Sequence, residues 1–397
     1  MLWEQVMSRE NENQVLRGYI SRKKRYIRIR NMVIVALLFA VVFIGLIYTI
    51  YRYNRSYHSY KVIKTTDLAG DNSGGYLSYG SSVIRYNKDG AAAYDKSGNV
   101  IWKGSYDMSD PIADTCGQYV VIADRGGKSV HIYNNKREVG SYSTDYEISR
   151  VSVADQGVVA VLMEEGDKNY ITLYDVDGTD LVKFDRDVNV IGYPMDMSLS
   201  EDGQKLVLSC LSVAKGDLEC NVGFYNFSDV GKNYTNRYVG GYSFKKGILS
   251  PRVKFLNNDT VCVYKENGFV IYSMKQMPID LKEVNFKEKI KSIIYNKSYT
   301  GVVLESADGS SKHLMLYNLK GKQVLDKTFN FEYTKILMTD KEIIMYNDLN
   351  CMIMKTSGKI KFQHKLDNAI SVFYPINNLD RYYLIQEGKL SEIQLGD

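Results

Sequence analysis

A chain of 397 residues, 45% hydrophobic and 24% charged, is long enough for one large domain plus an appendage and apolar enough to build a real core. Its formal charge of +5 resides entirely in residues 1–30, where eight Lys/Arg oppose Glu4, Glu10 and Glu12, so residues 52–397 are neutral as a set. A neutral domain argues against nucleic acid as its partner, and five cysteines in this length argue against a disulfide framework.

Residues 1–30 form a basic tail of helical character, expected to run into the next segment as one helix. Asn31–Tyr51 carries no charged residue over 21 positions. At ~1.5 Å per residue such a helix is roughly 31 Å long, matching a hydrocarbon core of ~30 Å. Arg30 and Arg52 bracket the run, while Tyr26, Tyr48, Tyr51 and Tyr53 sit where aromatic belts lie. A buried core helix of this length would carry polar interruptions. A cleaved signal peptide would have a shorter apolar stretch followed by small residues. The exit here, Tyr48-Thr49-Ile50-Tyr51-Arg52-Tyr53, is bulky throughout. Residues 31–51 therefore read as an uncleaved transmembrane helix in the lipid bilayer. The basic cluster Arg22–Arg30 keeps the N-terminus cytoplasmic and can touch anionic headgroups. The C-terminal domain is then extracytoplasmic, held at the cell membrane by a single pass.

Residues 52–59 read as a short polar tether, residues 60–66 (YKVIKTT) as a strand, and residues 67–75 (DLAGDNSGG) as a loop. From Tyr76 onward the chain alternates apolar and polar residues in short runs, with no convincing helical period. A strand ending in an aromatic or apolar residue, followed in most copies by Asp/Asn and a Gly-type turn, recurs at Tyr94, Tyr133, Tyr174, Tyr225, Tyr272, Tyr317, Met354 and, in degenerate form, Ile393. The spacings of 39, 41, 51, 47, 45, 37 and 39 residues are those of a four-stranded propeller blade, with each motif at the hairpin between third and fourth strands. One blade cannot bury both of its faces, so blades stack around an axis. Blade 3 is expected as 148–154, 157–164, 170–175 and 180–185. The last blade lacks a fourth strand, and residues 60–66 form an orphan strand before the first complete blade. Pairing the two closes the ring without an exposed edge. The fold class is thus all-β: an eight-bladed β-propeller over residues 60–397, preceded by one N-terminal transmembrane helix. Seven blades are the alternative if the short first strand at 76–79 is miscounted. Because the closing strand starts so soon after Tyr51, the partner is expected close to the membrane.

Two local motifs resemble known propeller families. Ala92-Ala-Tyr-Asp-Lys-Ser-Gly-Asn-Val-Ile-Trp102 is similar to the repeat of quinoprotein-like propellers, including the outer-membrane assembly lipoprotein class. Met197-Ser-Leu-Ser-Glu-Asp-Gly-Gln-Lys-Leu206 resembles the turn of WD40 and TolB-type blades. The whole layout, a basic tail, one span and a Tyr-rich propeller, resembles an uncharacterised bacterial family of membrane-anchored propellers, which brings no assigned activity. Only Trp102 occupies the tryptophan position that quinoprotein enzymes repeat, so no cofactor is expected.

No catalytic constellation stands out. His58, His131, His313 and His364 fall in separate elements without metal-ligand spacing. Asp175-Val-Asp-Gly-Thr-Asp180 has the look of a Ca²⁺ loop but lacks the downstream Glu, and a tight hairpin explains it better. Cys210 and Cys220 are the only near pair of cysteines and could face each other across a hairpin; buried thiols are the alternative. Most of the 33 tyrosines are assigned to blade packing. The sequons at Asn54, Asn226, Asn233, Asn258 and Asn296 matter only in a eukaryotic source, and a bacterial one is expected. No catalytic, cofactor-binding or metal-ligating residue is therefore singled out. The expected function is a non-catalytic binding or scaffold module of the bacterial cell envelope, whose partner is an envelope protein or a cell-wall polymer. The alternatives are a quinoprotein-like or glycan-acting enzyme with a site in the central channel, and a ligand sensor signalling through the N-terminal tail.

Overall fold

The computed structural model describes residues 2–397 apart from 69–73, 81, 189–191, 215, 245–246 and 377–378, so most of the loop read at 67–75 lies outside the described residues. The chain divides into two compact units, Met1–Arg55 and Ser56–Asp397.

The first unit is one helix, Leu2–Asn54. It extends three residues beyond Tyr51 because no glycine or proline interrupts the chain there. Every side chain of residues 31–51 is exposed, so the run is not the buried core of a globular unit. The helix is long and apolar enough to cross a membrane, a property it shares with signal sequences.

In the second unit the described residues form eight four-stranded antiparallel sheets, the blades of an eight-bladed propeller. The first strands of blades 1–8 are Gly75–Tyr79, Pro111–Cys116, Glu147–Val153, Tyr193–Leu199, Arg252–Asn257, Lys289–Tyr295, Lys335–Met338 and Val372–Pro375. First strands of several adjacent blades pack directly on one another, which places them innermost. Blade 3 comprises Glu147–Val153, Val159–Glu165, Lys168–Tyr174 and Asp180–Asp187. Blade 8 takes its outer strand from Ser59–Asp67, which pairs antiparallel with Lys389–Gly396, Tyr60 opposite Leu395 and Asp67 opposite Lys389. Just upstream, Tyr57 bridges in parallel to Phe362 in the outer strand of blade 7, its N–H donating to Lys361 O at 2.7 Å. The same short stretch of chain therefore touches both blades at that seam.

Strand alternation explains the core. In the second strand of blade 2, Val120 and Ile122 point into the cluster shared with blade 1, whereas Val121 and Ala123 point into the cluster shared with blade 3. Eight such clusters fill the eight seams, the last joining blade 8 (Tyr383, Ile385) to blade 1 (Val83, Tyr94). The recurrent residues of the third strands, Tyr94 to Ile393, are all buried. The register between third and outer strand shifts at or next to each of them, leaving one extra residue on the outer strand: Ile101, Val139, Leu181, Val239, Leu281, Val324, Lys361 and Ile63 in blades 1–8. A bulge there twists the exposed edge away from further pairing.

Blade 7 alone puts a charge at that position. Lys361 donates to the Glu342 carboxylate and, at 2.7 Å, to Tyr382 Oη of blade 8, while Tyr382 donates to Glu342 Oε2 at 2.7 Å. Both charged side chains are only 3% exposed. Burial lowers the pKa of Lys361, and Glu342 works against that.

The structure corrects one pairing. Cys210 stands opposite Asn221, and Leu211 opposite Cys220, so the two cysteines lie one position out of register and face opposite sides of blade 4. Cys210 packs in the seam with blade 3, and Cys220 lies against Ser209 and Ser250 on the blade 5 side. All five cysteines are free thiols.

Candidate functional site: the central channel

The innermost strands have a free edge toward the axis, so their N–H groups need partners other than a neighbouring strand. Polar side chains of the preceding blade supply them. Asp114 of blade 2 accepts from Val153 N at 3.0 Å and from Ser152 Oγ at 3.1 Å, and Ser152 Oγ accepts from Leu199 N at 3.2 Å. Asp196 accepts from Val253 N at 2.9 Å, and Ser198 Oγ from Phe255 N at 3.0 Å. These bonds staple blades 2 to 5 edge to edge and fix two carboxylates on the channel wall.

A cavity of about 420 Å³ opens against this wall, lined by first-strand residues of blades 2–6, among them Asp114, Ser152, Asp196, Arg252, Lys254 and Tyr295. A second cavity of about 520 Å³ lies against blades 7, 8 and 1, where Leu337, Met338, Tyr374 and Ile376 make the lining more apolar. The channel is thus strongly charged on one side and mixed polar and apolar on the other. On the charged side, Arg150 and Arg252 approach Asp196 Oδ1 at 3.5 and 3.6 Å, too far for good hydrogen bonds. Burial pushes the Asp196 carboxyl up, opposed by the Val253 N–H and the two guanidinium groups. Lys254 lies 5.9 Å from the Tyr295 ring centre, and the Asp114 carboxylate holds its ammonium above the usual lysine range.

The residues singled out as chemical suspects are spread apart. His131 Nδ1 lies 2.7 Å from Glu138, His313 is paired with Asp326, and His364 stacks on Phe362. His58 precedes the strand that closes the ring. Among the described residues, no three His, Cys, Asp or Glu side chains converge as a metal-binding group. Residues 175–180 form a tight hairpin, with Gly178 N donating to Asp175 O at 3.0 Å and Thr179 N to Asp177 Oδ1 at 2.9 Å. Burial pushes the thiols of Cys116, Cys262 and Cys351 up to about 12 and raises that of Cys220, so they stay protonated at neutral pH. Trp102 lies parallel to Tyr133 of blade 2 at 4.3 Å, packed in the seam rather than lining the channel. Asn226 and Asn296 donate their amides to Gln276 O and Thr339 O of the following blade, and Asn258 accepts from Asp202 N of the preceding one.

Sequence reasoning did not find Asp114, Arg150, Asp196, Arg252 and Lys254. A signal was present: Asp196 sits mid-strand in Tyr-Pro-Met-Asp-Met-Ser-Leu, where a buried blade position calls for an apolar residue. Superposing first strands across blades would have exposed it.

A ring of eight four-stranded sheets around a channel with one charged wall defines an eight-bladed β-propeller. The chain belongs to a family of unknown function, DUF5711, whose sequence profile matches residues 53–395. No curated protein matches it in sequence. Among solved structures it is similar to BamB from Moraxella catarrhalis, with 12% identity, a TM-score of 0.52, and 85% of this chain and 100% of that one covered. It is also similar to a eukaryotic initiation factor, with 10% identity, a TM-score of 0.51, and 83% and 87% covered. At such identities the likeness concerns the fold.

Proposed function

We propose that this chain is a single-pass membrane protein of a bacterial envelope, its N-terminus cytoplasmic and its propeller extracytoplasmic, acting as a non-catalytic binding or scaffold module. Residues 1–30 are the basic tail, 31–51 cross the bilayer, and 60–397 form the binding domain. The partner is an envelope protein or cell-wall polymer. The observation that carries this reading is the helix itself: 21 consecutive uncharged residues, exposed along their length, directly follow a basic cluster and are joined to a propeller. The protonated thiols and the separated histidines support a non-catalytic role.

Four native thiols are buried and Cys116 is half-buried, which makes a topology experiment by thiol labelling possible. Lys136→Cys, in the exposed hairpin of blade 2, should react with a membrane-impermeant maleimide on intact cells. Ser8→Cys in the tail should react only after lysis. Labelling of Ser8→Cys in intact cells, or release of the full chain by alkaline carbonate, would overturn the reading. Crosslinking in membranes followed by mass spectrometry then identifies the partner.

A further inference from the structure

Arg150 and Arg252 share one oxygen of Asp196, and neither donates a hydrogen bond of good length among the described residues. Each guanidinium carries five N–H donors in a planar fork. Lys254 adds a third cation beside them, and Asp114 and Asp196 are the two carboxylates that face them from blades 2 and 4. Arg252, Lys254, Asp114 and Asp196 line the cavity of about 420 Å³, and Arg150, 3.5 Å from Asp196 Oδ1, brings the cluster to three positive and two negative charges. The backbone of the neighbouring blade pins both carboxylates, so they cannot swing away to free the cations.

From this we infer that the channel wall of blades 2–6 is a binding site for a single carboxylate group, seated between Arg150, Arg252 and Lys254. One negative charge balances the excess, and a carboxylate matches the guanidinium fork. A dianion such as phosphate would face Asp114 and Asp196 with an extra charge at close range, which disfavours it. The carboxylate is carried either by a free small acid or by an acidic residue of a protein partner. The site rests on the channel serving as a binding surface, and its failure would leave the topology result above untouched.

The test uses the full chain in lipid nanodiscs. Binding of ¹³C-carboxyl-labelled acetate is followed by line broadening at constant ionic strength, with inorganic phosphate as competitor. A second arm titrates the blocked tripeptides acetyl-Gly-Glu-Gly-amide and acetyl-Gly-Gln-Gly-amide, which distinguishes a peptide-borne carboxylate from a free acid. Saturable broadening is expected, weakened about tenfold by Arg252→Gln, the loss of one charge-assisted contact. Arg252 is more than half exposed, so this variant folds, and Arg150→Gln serves as a second check. Tighter binding of the Glu peptide than of acetate assigns the site to an acidic residue, and the reverse assigns it to a small acid. Broadening that does not saturate, that survives both substitutions, or that phosphate competes away at lower concentration than unlabelled acetate overturns the proposal.

Discussion

Lys361→Met should be among the most damaging single changes in the propeller. It leaves the Glu342 carboxylate, 3% exposed in the seam of blades 7 and 8, without its hydrogen-bonded ammonium, with only Lys355 opposite it in the register. Breaking a buried pair from one side costs about 3–5 kcal/mol, because the remaining charge keeps its desolvation penalty. Tyr382→Phe alone removes one donor and one acceptor to charged groups, a loss of about 1.5–3 kcal/mol. The triple variant Glu342→Leu/Lys361→Met/Tyr382→Phe removes the three hydrogen-bonded side chains together, leaving Lys355, which stands opposite Glu342 in the register. With neither member of the pair left to be stranded, its stability should recover well above that of Lys361→Met. Lys355 loses the depressing charge of Lys361 and, with it, the smaller supporting charge of Glu342. Guanidinium midpoints of the full chain in detergent micelles, read by fluorescence, order the variants. If Lys361→Met matches the parent, or the triple variant is no better than Lys361→Met, the account of this seam is wrong.

Burial, then the Lys361 and Lys359 charges, lower the Lys355 ammonium to about 8 from its ordinary 10.5. Between those values the unfolded chain binds more protons, so this group makes stability rise with pH over the window, and Lys355→Met should abolish the rise in thermal midpoint there. A Cβ at Gly104 would collide with the Tyr133 hydroxyl, which stacking on Trp102 holds in place. Gly104→Ala should therefore cost about 1–3 kcal/mol, seen as a lower thermal midpoint, whereas Gly126→Ala, where a methyl meets nothing within 4 Å, should show only the strain of a positive φ. Thr65 and Ser391 face each other across the closing pair with hydroxyls 3.0 Å apart. Thr65→Cys/Ser391→Cys should form a disulfide that shifts mobility on a non-reducing gel and adds up to about 5 kcal/mol, reversed by reductant.

The blade number was legible because its signal is local. In blades 1–7 the residue at or near the end of the third strand precedes a hairpin, so aromatic, Asp/Asn and Gly stand close together in the chain in most copies. The eight bulges explain why the repeat tolerates Met354 and Ile393: the position demands burial, not an aromatic ring. The channel was not legible, because its chemistry joins residues on different blades. Asp114 meets Val153, and Asp196 meets Val253, across separations of 39 and 57 residues. No spacing rule within one blade reveals such pairs. The choice between a Cys210–Cys220 pair and buried thiols stayed open for a finer reason: a single step of register decides which face a strand residue takes, and hairpin composition does not encode that step. Lys361 was invisible as well, since a lysine in an outer strand ordinarily reads as a solvated edge residue.

The strand Ser59–Asp67 also sets a clock. It leaves the ribosome some 326 residues ahead of its partner, taking the distance between Thr65 and Ser391. At ~5–20 residues per second that is roughly 16–65 s of synthesis during which seven blades can stack but the ring cannot lock. Throughout that interval the faces later sealed by Tyr382, Tyr383 and Ile385 remain open and sticky. A chain cut short within the last blade never leaves this state, whereas a finished one does so in a single event. Closure therefore marks completion, and an open seam gives quality-control proteases a physical way to recognise the unfinished chain.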